Sequence, residues 1–122
     1  MSERADITEA NKWFRGEHKV IRITMEDATN LTTFALQWVV QHPGSSVDLL
    51  TKSSADGGIT VEDDGANVGA VAVIEVETED TMLLDARTYH HALWRVDPGV
   101  EQILSEGSAL LQNAARLGVE GS

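Results

Sequence analysis

The stretch that decides the fold is Asp85-Ala86-Arg87-Thr88-Tyr89-His90-His91-Ala92-Leu93-Trp94-Arg95-Val96. Asp85 is an acidic turn residue four positions before Tyr89, which opens a run of strand-forming residues. This spacing is typical of a tyrosine corner, in which the ring packs in the core of a β-sandwich and the hydroxyl bonds back to the turn backbone. Side chains alternate along a strand, so one set should face inward and the other outward. The inward set is Tyr89, His91 and Leu93, and the outward set is His90, Ala92 and Trp94.

The rest of the chain has the pattern of six further short strands separated by turns. They are predicted at 19–25, 34–40, 47–52, 59–61, 68–76 and about 100–111. In the first of these, the period-two pattern assigns Ile21, Ile23 and Met25 to the core. About seven strands with a turn roughly every ten residues predict an all-β, antiparallel immunoglobulin-like β-sandwich.

Two segments fit either a helix or a strand, and a third predicts a short helical turn. Residues 3–14 have an amphipathic pattern that fits a helix, and residues 103–117 have helix-compatible composition. Gly107 and Ser108 interrupt the second pattern and favour a strand at 103–111. Asp80 and Thr81 precede an apolar triplet, which predicts a short helical turn near 80–84 that crosses between the sheets.

The length of 122 residues fits one domain, which we place at 1–112, with a C-terminal tail at 113–122. The chain has no cysteine, which excludes a disulfide scaffold, a thiol nucleophile and a thiolate metal site. No apolar run approaches the roughly 18 residues that span a bilayer, so no membrane association is expected.

The charge is strongly acidic and unevenly distributed. The net charge is -11, which argues against nucleic acid or anionic lipid as a partner. Residues 1–52 hold 6 basic and 7 acidic side chains, a net of -1, and residues 53–122 hold 3 and 13, a net of -10. We therefore expect the second half to face water or a basic neighbour.

No pattern of catalytic or metal-binding residues emerges. His90 and His91 are adjacent in a strand and point to opposite faces, so they do not chelate one ion. The acidic segment 62–67 lacks the residue order of an EF-hand loop and is interpreted as a hairpin tip. Nucleophile elbows and phosphate-binding loops are also absent from the sequence. We predict no enzyme activity, no cofactor and no bound metal.

The remaining candidates lie on the surface. Trp38 is assigned to the core and Trp94 is expected to be partly buried. Trp13, Phe14 and Trp94 are the candidates for anchors in a protein–protein interface, since tryptophan is enriched in such sites. Glu75, Glu77 and Glu79 alternate along a predicted strand and form an acidic face, either solvated or turned to a partner.

The chain resembles small immunoglobulin-like proteins from the structural gene clusters of tailed bacteriophages and is similar to the N-terminal domain of baseplate upper proteins. The resemblance covers about residues 12–111 and rests on an ordered series of short motifs. They are Phe14-Arg15-Gly16-Glu17, Asp27 to Thr32 before Trp38, Lys52 through Gly58-Ile59-Thr60-Val61, Asp80-Thr81 with Leu83-Leu84 before Thr88-Tyr89-His90-His91-Ala92-Leu93-Trp94-Arg95, and Asp97-Pro98-Gly99 with Leu104 to Gly107. The chain departs from the pattern at Ala86-Arg87, where the family has Pro-Gly, and at Thr33, where it has Gly.

The resemblance implies a non-enzymatic structural component of a virion. Its expected partners are other virion proteins of the capsid, neck or tail, on which it would dock as a cement or decoration subunit or as a neck, tail or baseplate accessory. A homo-oligomer, trimeric or hexameric, would fit the symmetry of such particles. The alternative is a receptor- or carbohydrate-binding β-sandwich module whose aromatic residues stack on a sugar.

Overall fold

The computed structural model describes residues 3–4 (backbone only), 13–25 and 27–113. Nine strands and one 3₁₀ helix lie within these ranges. The strands are β1 Glu3–Arg4, β2 Trp13–Phe14, β3 Lys19–Thr24, β4 Leu36–Gln41, β5 Leu50–Ser53, β6 Ile59–Glu62, β7 Val71–Val76, β8 Thr88–Arg95 and β9 Gln102–Gln112, and the helix is Thr78–Asp80.

The strands form two sheets packed as a sandwich. The large sheet has the order β1-β9-β8-β4-β5, with β2 also paired to β9, and the small sheet has the order β3-β7-β6. Pairing is antiparallel except that β1 and β2 run parallel to β9. This is an immunoglobulin-like arrangement in which β5 extends the sheet beyond β9, β8 and β4, as the additional strands do in variable-type domains. The predicted fold class is confirmed.

All seven predicted strands are present, with ends shifted by up to three residues. The segment 103–111 lies within β9, as favoured. β1 and β2 were not predicted, and both lie in the stretch where the sequence also fitted a helix. Residues 5–12 of that stretch lie outside the described residues, as does the predicted tail beyond Asn113.

The core lies between the two sheets and follows the period-two pattern. Ile21, Ile23 and Met25 of the β3 segment are at most 7% exposed, as predicted. The facing positions on the large sheet include Trp38, Tyr89 and Leu93, each buried. Burying a large apolar or aromatic side chain of this kind stabilises the folded state by about 1.5–3 kcal/mol per side chain.

The helical turn predicted near 80–84 begins two residues earlier, at Thr78. The Asp80 carboxylate accepts a hydrogen bond from the backbone N–H of Glu77 at 2.6 Å. Asp80 is the third residue of the helix, and its side chain thus caps the backbone at the residue before the helix begins. Met82 is 50% exposed and Leu83 is 94% exposed, so their side chains provide little burial to hold a further turn of helix. The segment 81–84 is instead made of turns and a bend.

No helix among residues 3–4, 13–25 and 27–113 is both long and apolar enough to cross a membrane.

Candidate functional site

The outer face of the large sheet carries a groove of about 330 Å³. Leu36, Trp38 and Val40 of β4 face the core, so the residues between them face outward. The lining consists of three outward residues of β4 and four residues from neighbouring segments: Gln37, Val39, Gln41, Asp48, Trp94, Val96 and Glu101.

Trp94 forms one wall of this groove. In the pairing of β4 with β8, Gln37 lies opposite Trp94 and Val39 lies opposite Ala92. The register of β8 with β9 shifts between Leu93 and Trp94, leaving Leu104 as an extra residue on β9. Bulges bend a strand and redirect the side chains beside them. Trp94 is half-buried, as predicted.

The groove has an apolar floor and an acidic rim. Val39 is only 4% exposed even though it lies on the outer face of the sheet. Asp48 and Glu101 are exposed, and the Gln41 amide donates a hydrogen bond to Asp48 Oδ1 at 2.7 Å. Lysine and arginine are absent from the lining residues. The groove therefore offers an indole, two valines, two amides and two carboxylates without a balancing cation.

Trp13 is buried, which corrects the prediction that it anchors an interface. Its ring is 0% exposed and packs edge-on against Trp38, with ring centroids 6.5 Å apart. The cause is β2, whose parallel pairing with the end of β9 directs the ring into the core. Phe14 is half-buried, so a smaller part of its ring is available to a partner.

Glu75, Glu77 and Glu79 do not share a strand face, because β7 ends at Val76. Glu75 is exposed on β7, Glu77 precedes the 3₁₀ helix, and Glu79 is exposed within it. The single acidic face predicted from their alternation is therefore wrong.

The fold brings His18 to two of these acids. His18 Nε2 lies 3.1 Å from Glu75 Oε2, and the ligand atoms of His18, Glu75 and Glu77 lie within 4.8 Å of one another. The sequence alone does not reveal this group, because His18 lies far from Glu75 and Glu77 along the chain. The antiparallel pairing of Lys19 with Val76 places it there. His18 and Glu75 are exposed and within hydrogen-bond distance of each other, so this group carries no proposal of a cation site.

The acidic segment 62–67 is a turn held by its own carboxylates. Asp64 Oδ1 accepts backbone N–H groups from Asn67 at 2.6 Å and Ala66 at 3.0 Å, and Asp63 Oδ1 accepts from Gly69 at 2.9 Å. The bonds from Asn67 first, and then the bond from Ala66, lower the pKa of Asp64. The contacts are those of a hairpin tip.

The tyrosine corner is formed. The Tyr89 hydroxyl donates a hydrogen bond to the carbonyl oxygen of Asp85 at 2.7 Å, and the ring stacks on His42 with centroids 5.4 Å apart. Burial, and then the negative charge of Asp85, raise the pKa of Tyr89. Ala86 and Arg87, which stand where the family has Pro-Gly, do not adopt the left-handed backbone conformation. Among the described residues, Ala28 is the one non-glycine residue with a positive φ.

His91 bonds to the core tryptophan. It lies two residues after the corner tyrosine, where antibody domains place the second cysteine of the inter-sheet disulfide. Here the Trp38 indole N–H donates to His91 Nδ1 at 3.0 Å, and both side chains are buried. His90 faces the other way and pairs with Glu106 at 3.4 Å, so the two adjacent histidines have separate structural partners.

The Arg15-Gly16 turn is hydrogen-bonded to the segment that precedes the tyrosine corner. Arg15 donates to the carbonyls of Leu84 at 2.7 Å and Met82 at 2.8 Å, and the Gly16 N–H donates to Thr81 Oγ1 at 2.7 Å. Gly16 has φ +78°, and a Cβ there would lie 2.9 Å from Met82 Sδ. We call Arg15, Gly16, Thr81, Asp85 and Tyr89 the corner cluster.

No family model matches this chain, and neither does any curated protein. Two similar solved structures are extracellular fragments of novel immune-type receptors from Ictalurus punctatus. Receptor 10 is 13% identical, with 92% of this chain and 97% of that chain covered and a TM-score of 0.36. Receptor 11, including its stalk region, is 16% identical, with 100% of this chain and 90% of that chain covered and a TM-score of 0.38. The fold assignment rests on strand order and register rather than on these similarities.

Proposed function

We propose that this protein is a non-enzymatic structural subunit of a tailed-phage virion. It docks on other virion proteins as a capsid cement or decoration subunit, or as a neck, tail or baseplate accessory, in a trimer or hexamer. The phage assignment is supported by the ordered series of motifs from Phe14 to Gly107. The docking role is carried by one observation, the groove beside Trp94.

The groove has the features of an anchor pocket between proteins. A half-buried tryptophan above an apolar floor provides a large contact area, and side chains that fill such pockets contribute much of the energy of an interface. A volume of about 330 Å³ accommodates one or two side chains of a partner. Trp94 is therefore the interface candidate that we retain as the main anchor.

The use of polar groups elsewhere supports a structural role. Asp63 and Asp64 hold a turn, Asp80 holds the 3₁₀ helix, and His91 bonds the core tryptophan. Carboxylates and imidazoles are side chains that acid–base and metal chemistry use. Here their hydrogen-bonding capacity is instead directed to the fold.

The copy number per particle tests the proposal. Phage particles from the strain that encodes this chain would be purified and quantified by mass spectrometry against labelled peptides. A decoration subunit would be present in copies on the order of hundreds, and a neck or baseplate subunit in about six or twelve, because symmetry fixes the multiples. Absence of the chain from purified particles would contradict the proposal.

A carbohydrate- or receptor-binding module is the second candidate, favoured by the amides in the same groove. Gln37, opposite Trp94, and Gln41 both line the groove, and an aromatic platform with amide and carboxylate groups suits a sugar. A glycan array with Trp94→Ala as the control separates the two functions. Saturable sugar binding that this variant loses would favour the second candidate.

A further inference from the structure

We propose that the groove beside Trp94 binds an arginine side chain presented by a partner protein. The inference rests on the proposed docking function and adds the chemistry of the group that the partner supplies. The occupant is a guanidinium whose plane stacks on the Trp94 indole, in a groove that also contains the carboxylates of Asp48 and Glu101.

The charge of the groove selects a cation. Two of its seven lining residues are acidic and none is lysine or arginine. The Gln41 amide that bonds Asp48 is neutral, so it positions the carboxylate without cancelling its charge. A carboxylate oxygen has several lone pairs, and one hydrogen bond leaves capacity for another donor. A positively charged group in the groove is therefore attracted by both acids.

The apolar part of the groove selects a cation with a flat, weakly hydrated head and an apolar stem. Val39 and Val96 line the floor, where the methylene groups of a long side chain can pack. The Trp94 ring presents the aromatic surface that attracts cations most strongly among protein side chains. Guanidinium stacks on aromatic rings and forms paired bonds with carboxylates, whereas ammonium is strongly hydrated and compact.

The protein contains an internal example of the same chemistry one residue along β8. The Arg95 guanidinium carbon lies 4.0 Å from the centroid of the Phe34 ring. The Asp97 carboxylate accepts a hydrogen bond from Arg95 Nε at 2.8 Å, and this bond is the main cause of the lowered pKa of Asp97. An aromatic ring and a carboxylate thus hold one arginine within the chain. Beside it, Trp94 with Glu101 and Asp48 offers a ring and two carboxylates to an arginine from outside.

The test is an NMR titration of the full chain with capped pentapeptides. The probes are Gly-Gly-Arg-Gly-Gly and the same peptide with lysine or citrulline in the centre, and the readout is the Trp94 indole N–H signal. We expect saturable shifts with the arginine peptide at a Kd on the order of 1 mM, the strength of one anchored side chain. We expect binding several-fold weaker with lysine, and none with citrulline, which has the shape of arginine without its charge.

Variants assign the binding to the groove. Trp94→Ala should abolish binding, followed through backbone signals of Val39 and Gln41. The double variant Asp48→Asn/Glu101→Gln should weaken it about tenfold, a loss of about 1.4 kcal/mol. The matched control is Glu79→Gln/Asp85→Asn, which makes the same change in net charge at exposed acids that do not line the groove. This control should bind the arginine peptide as the wild type does.

The inference is overturned if the arginine peptide causes no saturable shift at Trp94, or if the citrulline peptide binds equally well. It is also overturned if the two double variants weaken binding equally, because the effect would then come from net charge. The titration uses the isolated protein and requires no particle. Its failure is therefore distinct from failure of the proposed function, which the copy number per particle decides.

Discussion

The corner cluster and the groove beside Trp94 use their polar groups in opposite ways. In the corner cluster the Arg15 guanidinium, the Gly16 N–H, the Thr81 hydroxyl and the Tyr89 hydroxyl are all bonded within the chain. Thr81 and Tyr89 are at most 1% exposed. In the groove, the carboxylates of Asp48 and Glu101 are exposed, and the Trp94 ring is half-buried. The first region is closed by its own contacts and the second is open to a partner.

This difference shows what the recognisable motifs of the chain do. Phe14-Arg15-Gly16-Glu17 and Asp80-Thr81 are two of the motifs in the resemblance, and their contacts join the Arg15-Gly16 turn to the segment before β8. They stabilise the sandwich and do not form the groove. Of the residues that line the groove, Trp94 alone belongs to a quoted motif. These motifs therefore bear on the fold more directly than on the groove.

The largest expected effect separates the two tryptophans. Trp13→Ala should lower the free energy of unfolding by about 3–5 kcal/mol, because it removes a fully buried ring from the core. Trp94→Ala should cost only about 1 kcal/mol, because that ring is half-buried. Urea unfolding followed by circular dichroism measures both values. Trp13→Phe keeps part of the packing, so its loss of unfolding free energy should be smaller than that of Trp13→Ala and larger than that of Trp94→Ala. This variant replaces Trp13→Ala in the comparison if the alanine variant does not fold. Equal losses for the two alanine variants would remove the contrast between a core ring and a surface ring.

The second effect concerns the ion pair that links β5 to the 3₁₀ helix. Lys52 Nζ lies 2.7 Å from Asp80 Oδ2, and the two side chains are only 15% and 16% exposed. Asp80→Asn should lower the free energy of unfolding by about 2 kcal/mol, somewhat less than the loss of one partner from a fully buried pair. Glu79→Gln removes a neighbouring exposed carboxylate and should change stability by less than about 0.5 kcal/mol. Equal effects of the two substitutions in urea unfolding would contradict a structural role for the pair.

The third effect, smaller at neutral pH than that of Asp80→Asn, is that of the corner hydroxyl. Tyr89→Phe removes the hydrogen bond to Asp85 and should cost about 1 kcal/mol at pH 7. Burial raises the pKa of Tyr89 in the folded state, so the protonated form is favoured by folding. This contribution is fully present below the unfolded pKa of about 10 and is lost as the pH rises through the folded pKa.

The alkaline part of that prediction has a direct readout. Tyr89 is the single tyrosine of the chain, so tyrosinate absorbance follows this residue alone. The stability of the wild type should fall more steeply above about pH 10 than that of Tyr89→Phe, which has no phenol to ionise. Parallel pH dependence of the two proteins would show that the corner hydroxyl does not contribute in this way.

The sandwich could be predicted because its pattern is local. Period-two alternation placed Ile21, Ile23 and Met25 in the core, and the spacing from Asp85 to Tyr89 predicted the corner bond. Trp13 was misplaced because its burial depends on parallel pairing with the distant β9. The acidic residues after Val76 were misplaced because the capping interactions of Glu77 and Asp80 end the strand pattern there.

The groove could be predicted only in part. Alternation along β4 places Gln37, Val39 and Gln41 on the face opposite the core, and Trp94 was already a surface candidate. Asp48 and Glu101 reach this face through the turn after β4 and the turn before β9. The sequence pattern does not predict how these two turns are placed against the sheet. The bulge at Leu104 is set by the pairing of β8 with β9 and has no signature in the sequence alone.

The central claim, docking on the virion through the groove, is tested most directly by competition during assembly. Wild-type protein and Trp94→Ala would be produced together in infected cells, and mass spectrometry would measure their ratio in lysates and in purified particles. We predict that particles are enriched in the wild type by about tenfold or more, the ratio given by a loss of about 1.4 kcal/mol. Incorporation of both proteins in the ratio present in the lysate would contradict the claim.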